Sequence, residues 1–331
     1  MPNLPKPRLR RSTRARVSDA HAPAASEPNV EIVERDGLRW INIERPGPVD
    51  QAWLEEHFEF HPLDYEDVRS RNQRPKIDVY DDYLFIVLHF PVFDKQVGRL
   101  NTGELDIFVG PDYLITLPTL ELLPVTRLFR RCEEDEAFRE QLFAKGSGRL
   151  LYEVLDDLFD YCFPILDKIG YKLDSLEDDV FEGRSEEVVR DISNVKQEII
   201  SYRKIIKPER STLRVLERYV ERFLPEDLEL YFDDVVDAAE RIWDILDNYK
   251  EVIEALEDTN ESVISHRQND VLRLLTVFSV ILLPLTLITG FFGMNVRFPG
   301  FDSVWAFWVI FLVMVVTFLG VLAFFRLKRF L

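Results

Sequence analysis

Alternating hydrophobic and polar positions characterise the chain from about residue 30 to residue 118. Five segments combine this alternation with many β-branched and aromatic side chains, which predicts strands: VEIVE, RWINIE, IDVYDDYLFIVLHF, ELDIFVG and DYLITLP. Two stretches between them, VDQAWLEEHF and HPLDYEDVRS, predict short helices. The pattern therefore predicts an α+β domain over residues 29–120.

From residue 120 to residue 256 the apolar positions follow helical spacing, and Pro208 and Pro225 are the expected breaks. The most regular stripe steps by four and three residues: Val235, Ala239, Ile242, Leu246, Tyr249, Ile253 and Leu256. This spacing suits a helix that packs along a parallel neighbour, and it equally suits a helix that lies on its own domain. No strong breaker occurs between residues 228 and 284, so one helix is predicted from about residue 228 to residue 292, about 100 Å long.

Two long uncharged runs follow, residues 274–292 with 19 positions and residues 303–325 with 23. A helix needs roughly 20 apolar residues to cross the hydrocarbon core of a bilayer, so both runs predict transmembrane helices. The predicted organisation after the first domain is a helical domain and stalk (121–270), a first span (271–292), an outer loop (293–302) and a second span (303–325). A short basic tail (326–331) closes the sequence.

Charges beside the two spans predict the orientation of the chain. Basic residues precede the uncharged run 274–292 and follow the run 303–325: Arg267, Arg273, Arg326, Lys328 and Arg329. The loop between the spans holds only Arg297 and Asp302 as charged residues. Positive charge marks the cytoplasmic side. We therefore expect a multi-pass protein of the plasma (inner) membrane with both termini in the cytoplasm.

The overall charge of −18 is unevenly distributed, with 31 acidic and 14 basic residues between positions 153 and 261. A strongly acidic surface argues against nucleic acid as a partner and is compatible with attraction of cations. The basic segment 1–28 lacks the apolar core of a signal peptide and is predicted to be a disordered arm. The chain has no nucleophile motif, phosphate loop or metal-ligand cluster, so we do not expect an enzyme.

The first span has two different faces. One stripe mixes polar, small and apolar residues: Asn269, Leu272, Thr276, Ser279, Leu283, Thr286 and Gly290. The opposite face holds Phe278, Leu282, Leu285 and Ile288. Lipid favours a uniformly apolar face, so the mixed stripe is expected against other helices or around a path for water.

The sequence Gly293-Met294-Asn295 directly follows the first span, and this arrangement resembles the CorA family of magnesium transport proteins. Three further segments agree with the family: LPLTLITG before the motif, RLKRFL in the tail, and HPLDYEDVRSRNQRPKIDVYDDYLFIVL in the first domain. The chain departs from the usual pattern at Phe292, where relatives carry an aromatic hydroxyl, and in an outer loop whose one acid is Asp302.

The resemblance implies a funnel-shaped homopentameric channel whose first span lines a central pore. It implies a selectivity filter of Gly293, Met294 and Asn295. In this filter the side-chain amides of five Asn295 residues would form a ring at the outer mouth. Leu272, Leu275 and Leu283 match a hydrophobic constriction, and Asn269 matches a polar ring at the cytoplasmic end. The expected pore lining is thus Asn269, Leu272, Leu275, Thr276, Ser279, Leu283, Thr286 and Gly290.

The resemblance also implies Mg²⁺ as both the transported and the regulatory ion, with Co²⁺ and Ni²⁺ as further cargo. Asp67 and Asp234 match the family's regulatory carboxylates between subunits, and Glu66 and Asp233 are adjacent candidates. Two alternatives remain open from the sequence. One is a zinc transporter of the ZntB type, although such relatives vary the Gly-Met-Asn motif. The other is a sensor or scaffold anchored by a membrane hairpin.

Overall fold

A computed structural model describes residues 27–70, 73–94, 99–182, 185–220, 229–294 and 304–327. Almost all of the predicted N-terminal arm, most of the outer loop including Asn295, and most of the basic tail lie outside these ranges. The chain divides into two compact units. The first comprises residues up to 168 together with 198–248, and the second comprises 169–197 together with the residues from 249 onward.

A six-stranded sheet forms the centre of the first unit, in the order β1-β2-β6-β5-β4-β3. Its strands are β1 (Glu31–Arg35), β2 (Leu38–Asn42), β3 (Lys76–Val79), β4 (Leu84–Asp94), β5 (Arg99–Val109) and β6 (Tyr113–Pro118). Neighbouring strands are antiparallel except for β2 and β6, which are parallel. The turn between β1 and β2 places Asp36 and Gly37 at positive φ, which glycine adopts without strain. Each of the five predicted segments contains a strand, and the third, IDVYDDYLFIVLHF, contains two, because β3 ends at Val79 and β4 begins at Leu84.

Helices cover both faces of this sheet. On one face lie α1 (Pro48–His57) and α2 (Pro62–Ser70), whose Leu54 and Val68 join a buried cluster with Phe85, Val87 and Phe108. The other face meets α3 (Leu123–Glu134), where the rings of Trp40 and Phe129 pack edge to face at 5.0 Å. Burial of such large apolar side chains is the main stabilising term of the unit.

Five further helices complete the described chain: α4 (Glu136–Phe143), α5 (Gly146–Glu182), α6 (Ser185–Val220), α7 (Glu229–Phe292) and α8 (Val304–Leu327). The predicted break at Pro208 is wrong, because α6 continues through it. A proline removes the helix hydrogen bond to the carbonyl four residues before it, and burial of the neighbouring Ile205, Ile206 and Leu213 holds the helix through this position. Pro225 lies outside the described residues.

The helix α7 has 64 residues, which confirms the predicted uninterrupted helix. The regular stripe on it is buried by the chain itself. In the first unit Ile242 and Leu246 are fully buried, and in the second unit Ile253 is fully buried. Of the two arrangements compatible with the spacing, packing on its own domain is therefore the one found.

The C-terminal part of α7 and the whole of α8 are long and apolar enough to cross a membrane. In the most apolar 18 residues of α7, 6% of the residues are buried within the chain, and in those of α8 the share is 0%. A core helix of a soluble protein would be mostly covered, whereas these two present their side chains outward. The two uncharged runs thus form exposed apolar helices as predicted.

Candidate functional site

The predicted pore stripe lies on an uncovered side of α7. All eight of its positions are exposed: Asn269, Leu272, Leu275, Thr276, Ser279, Leu283, Thr286 and Gly290. The three leucines among them are 58%, 60% and 69% exposed. Elsewhere on the helix Val277 is buried and Ile281, Pro284, Leu285 and Ile288 are partly covered, whereas Phe278 and Leu282 of the opposite face are 57% and 56% exposed. The chain leaves the mixed stripe free to face another helix or water, and it leaves part of the opposite face equally open.

The threonine hydroxyls on this stripe donate hydrogen bonds to backbone carbonyls of the same helix. Thr276 Oγ1 donates to the Leu272 carbonyl at 2.8 Å, and Thr286 Oγ1 donates to the Leu282 carbonyl at 2.8 Å. A hydroxyl that has used its hydrogen still offers oxygen lone pairs as acceptors. The exposed side of the stripe therefore presents acceptor oxygens, which suit water molecules or a hydrated cation.

The end of α7 explains the glycine of the Gly-Met-Asn motif. The Gly293 amide donates to the Thr289 carbonyl at 2.8 Å. A Cβ at Gly293 would lie 2.6 Å from that same carbonyl oxygen, closer than real Cβ contacts allow. Only glycine fits this close approach without a shift of the backbone. Met294 follows with an exposed side chain, and Asn295 lies outside the described residues.

Asp67, the first predicted regulatory ligand, belongs to a group of carboxylates in the first unit. One oxygen each of Asp64, Asp67 and Asp78 lies within 4.8 Å of the others. The Lys76 ammonium contacts two members of this group, bonding to Asp67 Oδ2 at 2.6 Å and to an oxygen of Asp78. The adjacent candidate, Glu66, is exposed outside the group.

Asp64 is the buried member of the group. The hydroxyls of Tyr80 and Tyr83 donate to its two oxygens at 2.9 and 2.7 Å. Burial raises the pKa of Asp64, and the two tyrosine hydrogen bonds oppose this rise. Burial lowers the Lys76 pKa, but its bonds to Asp67 and Asp78 outweigh burial and raise that pKa overall. Lys76 is therefore firmly charged.

Asp234, the second predicted ligand, and its neighbour Asp233 are exposed near the start of α7. The charge of Asp234 acts on Asp156 of α5, whose pKa is raised to about 6. Burial is the largest cause of that rise, and the like charges of Asp160, Asp234, Glu153 and Asp157 add to it. Asp156 and Asp160 were not predicted as site residues, although their four-residue spacing in DDLFD places both on one face of a helix.

Asp67 and Asp234 belong to different acidic groups of the first unit. Among the described residues, the group of three candidate ligands gathered around one point is Asp64, Asp67 and Asp78, and Asp234 is not part of it. Asp234 instead neighbours the acids of α5. The pairing of Asp67 and Asp234 on one ion therefore stays a prediction.

A prediction about pH follows from Asp156. The folded protein holds its proton more tightly than the unfolded chain, so this group adds stability at acid pH, and the contribution is lost as the pH rises through about 6. Asp156→Asn should raise the free energy of unfolding at about pH 7.5 by about 1 kcal/mol, a figure reduced for partial exposure, and should change little at about pH 4. Thermal unfolding in Mg²⁺-free detergent at both pH values checks this, with the exposed Asp233→Asn as control. Equal pH dependence in Asp156→Asn and the unaltered protein would contradict it.

The fold matches those of two solved structures. The complete structure of the CorA magnesium transporter from Methanocaldococcus jannaschii superimposes with a TM-score of 0.77 at 23% identity, covering 89% of this chain and 92% of that chain. The ZntB cytoplasmic domain from Vibrio parahaemolyticus matches with a TM-score of 0.59 at 17% identity, over 70% of this chain and 88% of that domain. At these identities both likenesses establish the fold alone.

Sequence comparison goes further than the fold. The cobalt/magnesium transport protein CorA of Thermotoga maritima is 30% identical over 295 residues, which are 88% of this chain and 83% of that protein. Residues 35–329 match the profile of the family described as CorA-like Mg²⁺ transporter protein. The resemblance noted in the sequence is thereby confirmed. The chain belongs to the CorA-like family of Mg²⁺ transporter proteins.

Proposed function

We propose that this chain is the subunit of a channel that carries Mg²⁺ across the plasma membrane, and that also passes Co²⁺ and Ni²⁺. The observation that carries the proposal is the polar and apolar stripe on α7, which the chain leaves exposed and which ends at Gly293-Met294-Asn295. Membership of a transporter family and the name of the Thermotoga maritima relative support it. The chain is accordingly a membrane protein and not an enzyme.

Five copies would place their α7 stripes around a central path, and a ring of Asn295 side chains would stand at its outer mouth. Mg²⁺ is small and gives up its water reluctantly. A ring of neutral amide oxygens can accept hydrogen bonds from the water shell of the ion without stripping it. The acceptor oxygens of Thr276 and Thr286 continue the same hydrated route inward.

The exposed leucines of the stripe supply the gate in this scheme. Leu272, Leu275 and Leu283 from each copy would form a narrow apolar ring, which blocks hydrated ions by excluding water. Asn269 lies toward the cytoplasmic end and would form a polar ring below the constriction. A small outward movement of the helices would let water, and then ions, pass.

The control element of the proposal is an Mg²⁺ ion held between subunits by Asp67 of one copy and Asp234 of the next, with Glu66 and Asp233 beside them. Like-charged carboxylates repel at close range, and a divalent ion between them removes that repulsion. The ion favours the closed state only if it binds that state more tightly than the open one. The positive flanks of the spans support a cytoplasmic position for this control site, where it would sense internal Mg²⁺.

Two alternatives make different predictions. A ZntB-type zinc transporter shares the fold, but this chain keeps the Gly-Met-Asn motif intact. A membrane-anchored scaffold needs no polar stripe on its first span and conducts no ions.

Reconstitution in liposomes tests the proposal. We expect Mg²⁺ uptake by a fluorescent indicator, with competition by Co²⁺ and Ni²⁺, and a pentamer by light scattering in detergent. Uptake of Zn²⁺ in preference to Mg²⁺ would favour the ZntB type. A stable monomer or dimer without flux would favour the scaffold and overturn the pore.

A further inference from the structure

The ammonium of Lys76 already occupies the carboxylate group that contains Asp67. Its Nζ bonds to Asp67 Oδ2 at 2.6 Å and also to Asp78. The same ammonium lies 5.3 Å from the centre of the Phe85 ring, which adds a cation–π contact. Lys76 is therefore held in place from several sides and rests where an external cation would meet Asp67.

The carboxylates around Lys76 outnumber its single charge. Asp64, Asp67 and Asp78 gather within 4.8 Å, which is a spacing that a divalent ion could span. One positive charge cannot neutralise three carboxylates, although the tyrosine bonds to Asp64 relieve part of the excess. The group as a whole retains attraction for further positive charge.

A fourth carboxyl points toward the same region. Asp106 of β5 and Lys76 of β3 both pair with Val87 of β4, so their side chains emerge on the same face of the sheet. Asp106 is 1% exposed, and neither of its side-chain oxygens has a hydrogen-bond partner among the described residues. Burial raises its pKa well above the usual range, and the charges of Glu104 and Asp67 act in the same sense. Such an orphaned buried carboxyl is costly unless a proton or a cation satisfies it.

We propose that the Lys76 ammonium is a tethered cation that competes with Mg²⁺ for the Asp67 carboxylate and so sets the Mg²⁺ concentration at which Asp67 is occupied. This inference rests on the regulatory role proposed above for Asp67. An ion that approaches Asp67 must displace Lys76 toward Asp78 or bind beside a fixed positive charge, and both weaken its affinity. A built-in competitor keeps the site empty until internal Mg²⁺ is high.

The test measures the Mg²⁺ concentration that gives half-maximal protection of the full-length protein from limited proteolysis in detergent. Lys76→Met removes the charge but keeps the length and the packing on Phe85, so its midpoint should fall about tenfold. Lys76→Arg keeps the charge, and its midpoint should stay within about twofold of the unaltered protein. Arg69→Gln removes one charge from the same region, where Arg69 pairs with Glu55 rather than Asp67, and should also change little.

Asp67→Asn separates failure of this inference from failure of the proposed function. If Asp67 is the ligand, Asp67→Asn alone raises the midpoint, and adding Lys76→Met no longer lowers it. If Asp67→Asn raises the midpoint but Lys76→Met leaves it unchanged, Lys76 does not compete, and the regulatory role of Asp67 stands. If Asp67→Asn has no effect in either background, the proposed role of Asp67 itself is wrong.

If Lys76→Met misfolds, a second uncharged variant and a second measurement still test whether Lys76 competes with Mg²⁺. Lys76→Gln keeps a hydrogen-bond donor without the charge and provides a second uncharged variant. Removal of the charge leaves the carboxylates mutually repelling, so either variant should melt lower than the unaltered protein without Mg²⁺ and gain more from added Mg²⁺. A gain from Mg²⁺ no larger than that of Lys76→Arg would overturn the proposal.

Discussion

Replacing Asn295 by alanine is expected to abolish Mg²⁺ flux in liposomes while the assembled oligomer remains intact. In the proposed channel this side chain is the one polar group of the Gly-Met-Asn motif, and five copies supply the oxygens that hold the water shell of the ion. Alanine offers no acceptor, so a hydrated Mg²⁺ ion would meet an apolar ring and lose its first binding position. Flux is measured with a fluorescent indicator, and assembly by light scattering.

Phe291→Leu is the control for this experiment, because it changes an exposed apolar position near the motif but outside the proposed filter, without adding or removing a hydrogen-bonding amide. We expect it to conduct within about threefold of the unaltered protein, since the side chain stays apolar. Loss of flux in both variants would mean that any change near the outer end of α7 is harmful. Normal flux in Asn295→Ala would reduce Asn295 to a turn residue.

The elements of this fold could be predicted from the sequence because their signals are local. The runs of β-branched and aromatic residues in β4 and β5 and the apolar runs of α7 and α8 each lie within a single segment. The break expected at Pro208 was wrong because packing with distant parts of the chain, which the local sequence does not show, decided the structure there. A proline costs one hydrogen bond and some strain in a helix, and tertiary packing of the neighbouring Ile205, Ile206 and Leu213, all buried, outweighs that cost.

The sequence could not predict which surface packs against the apolar stripe of α7. The spacing of apolar residues identifies the buried side of a helix but not the element that covers it. Ile242 and Leu246 have the spacing of a helix that packs along a parallel neighbour, yet both are fully buried by their own chain. The opposite holds on the membrane part of α7, where Leu272 and Leu283 are exposed. A subunit interface, if formed as proposed, uses the second kind of surface.

The environment of the candidate ligands also required the structure. The pairing of Lys76 with Asp67 depends on α2 lying over one face of the sheet, and the position of Asp106 depends on strand register. The proximity of Asp156 to Asp234 joins residues 78 positions apart in sequence. The motif match could name Asp67 and Asp234, but it could not indicate that each already has charged neighbours.

The double variant Asp67→Asn/Asp234→Asn is expected to lose closure by internal Mg²⁺. In the unaltered protein, raising Mg²⁺ on the cytoplasmic face should reduce flux and protect the protein from proteolysis, because the ion relieves repulsion between subunits. Asp67 lies beside Asp64 and Asp78, and Asp234 lies beside Asp156, so both stand in regions of the chain that are rich in negative charge. Amides in their place neither repel one another nor bind the ion strongly, so flux and cleavage should no longer depend on the Mg²⁺ concentration.

A control pair with the same charge change makes this test specific. Glu59→Gln/Asp237→Asn alters two other exposed acids of the first unit that lie outside the proposed site, and it removes the same number of negative charges. If bulk charge governs closure, the two double variants will shift the Mg²⁺ midpoint equally. If the ion is held by Asp67 and Asp234, the control should close within about threefold of the usual midpoint, as expected for carboxylates that only contribute to the surrounding field. Closure of the Asp67→Asn/Asp234→Asn protein at the ordinary Mg²⁺ concentration would remove both residues from the mechanism and leave the pore without its proposed sensor.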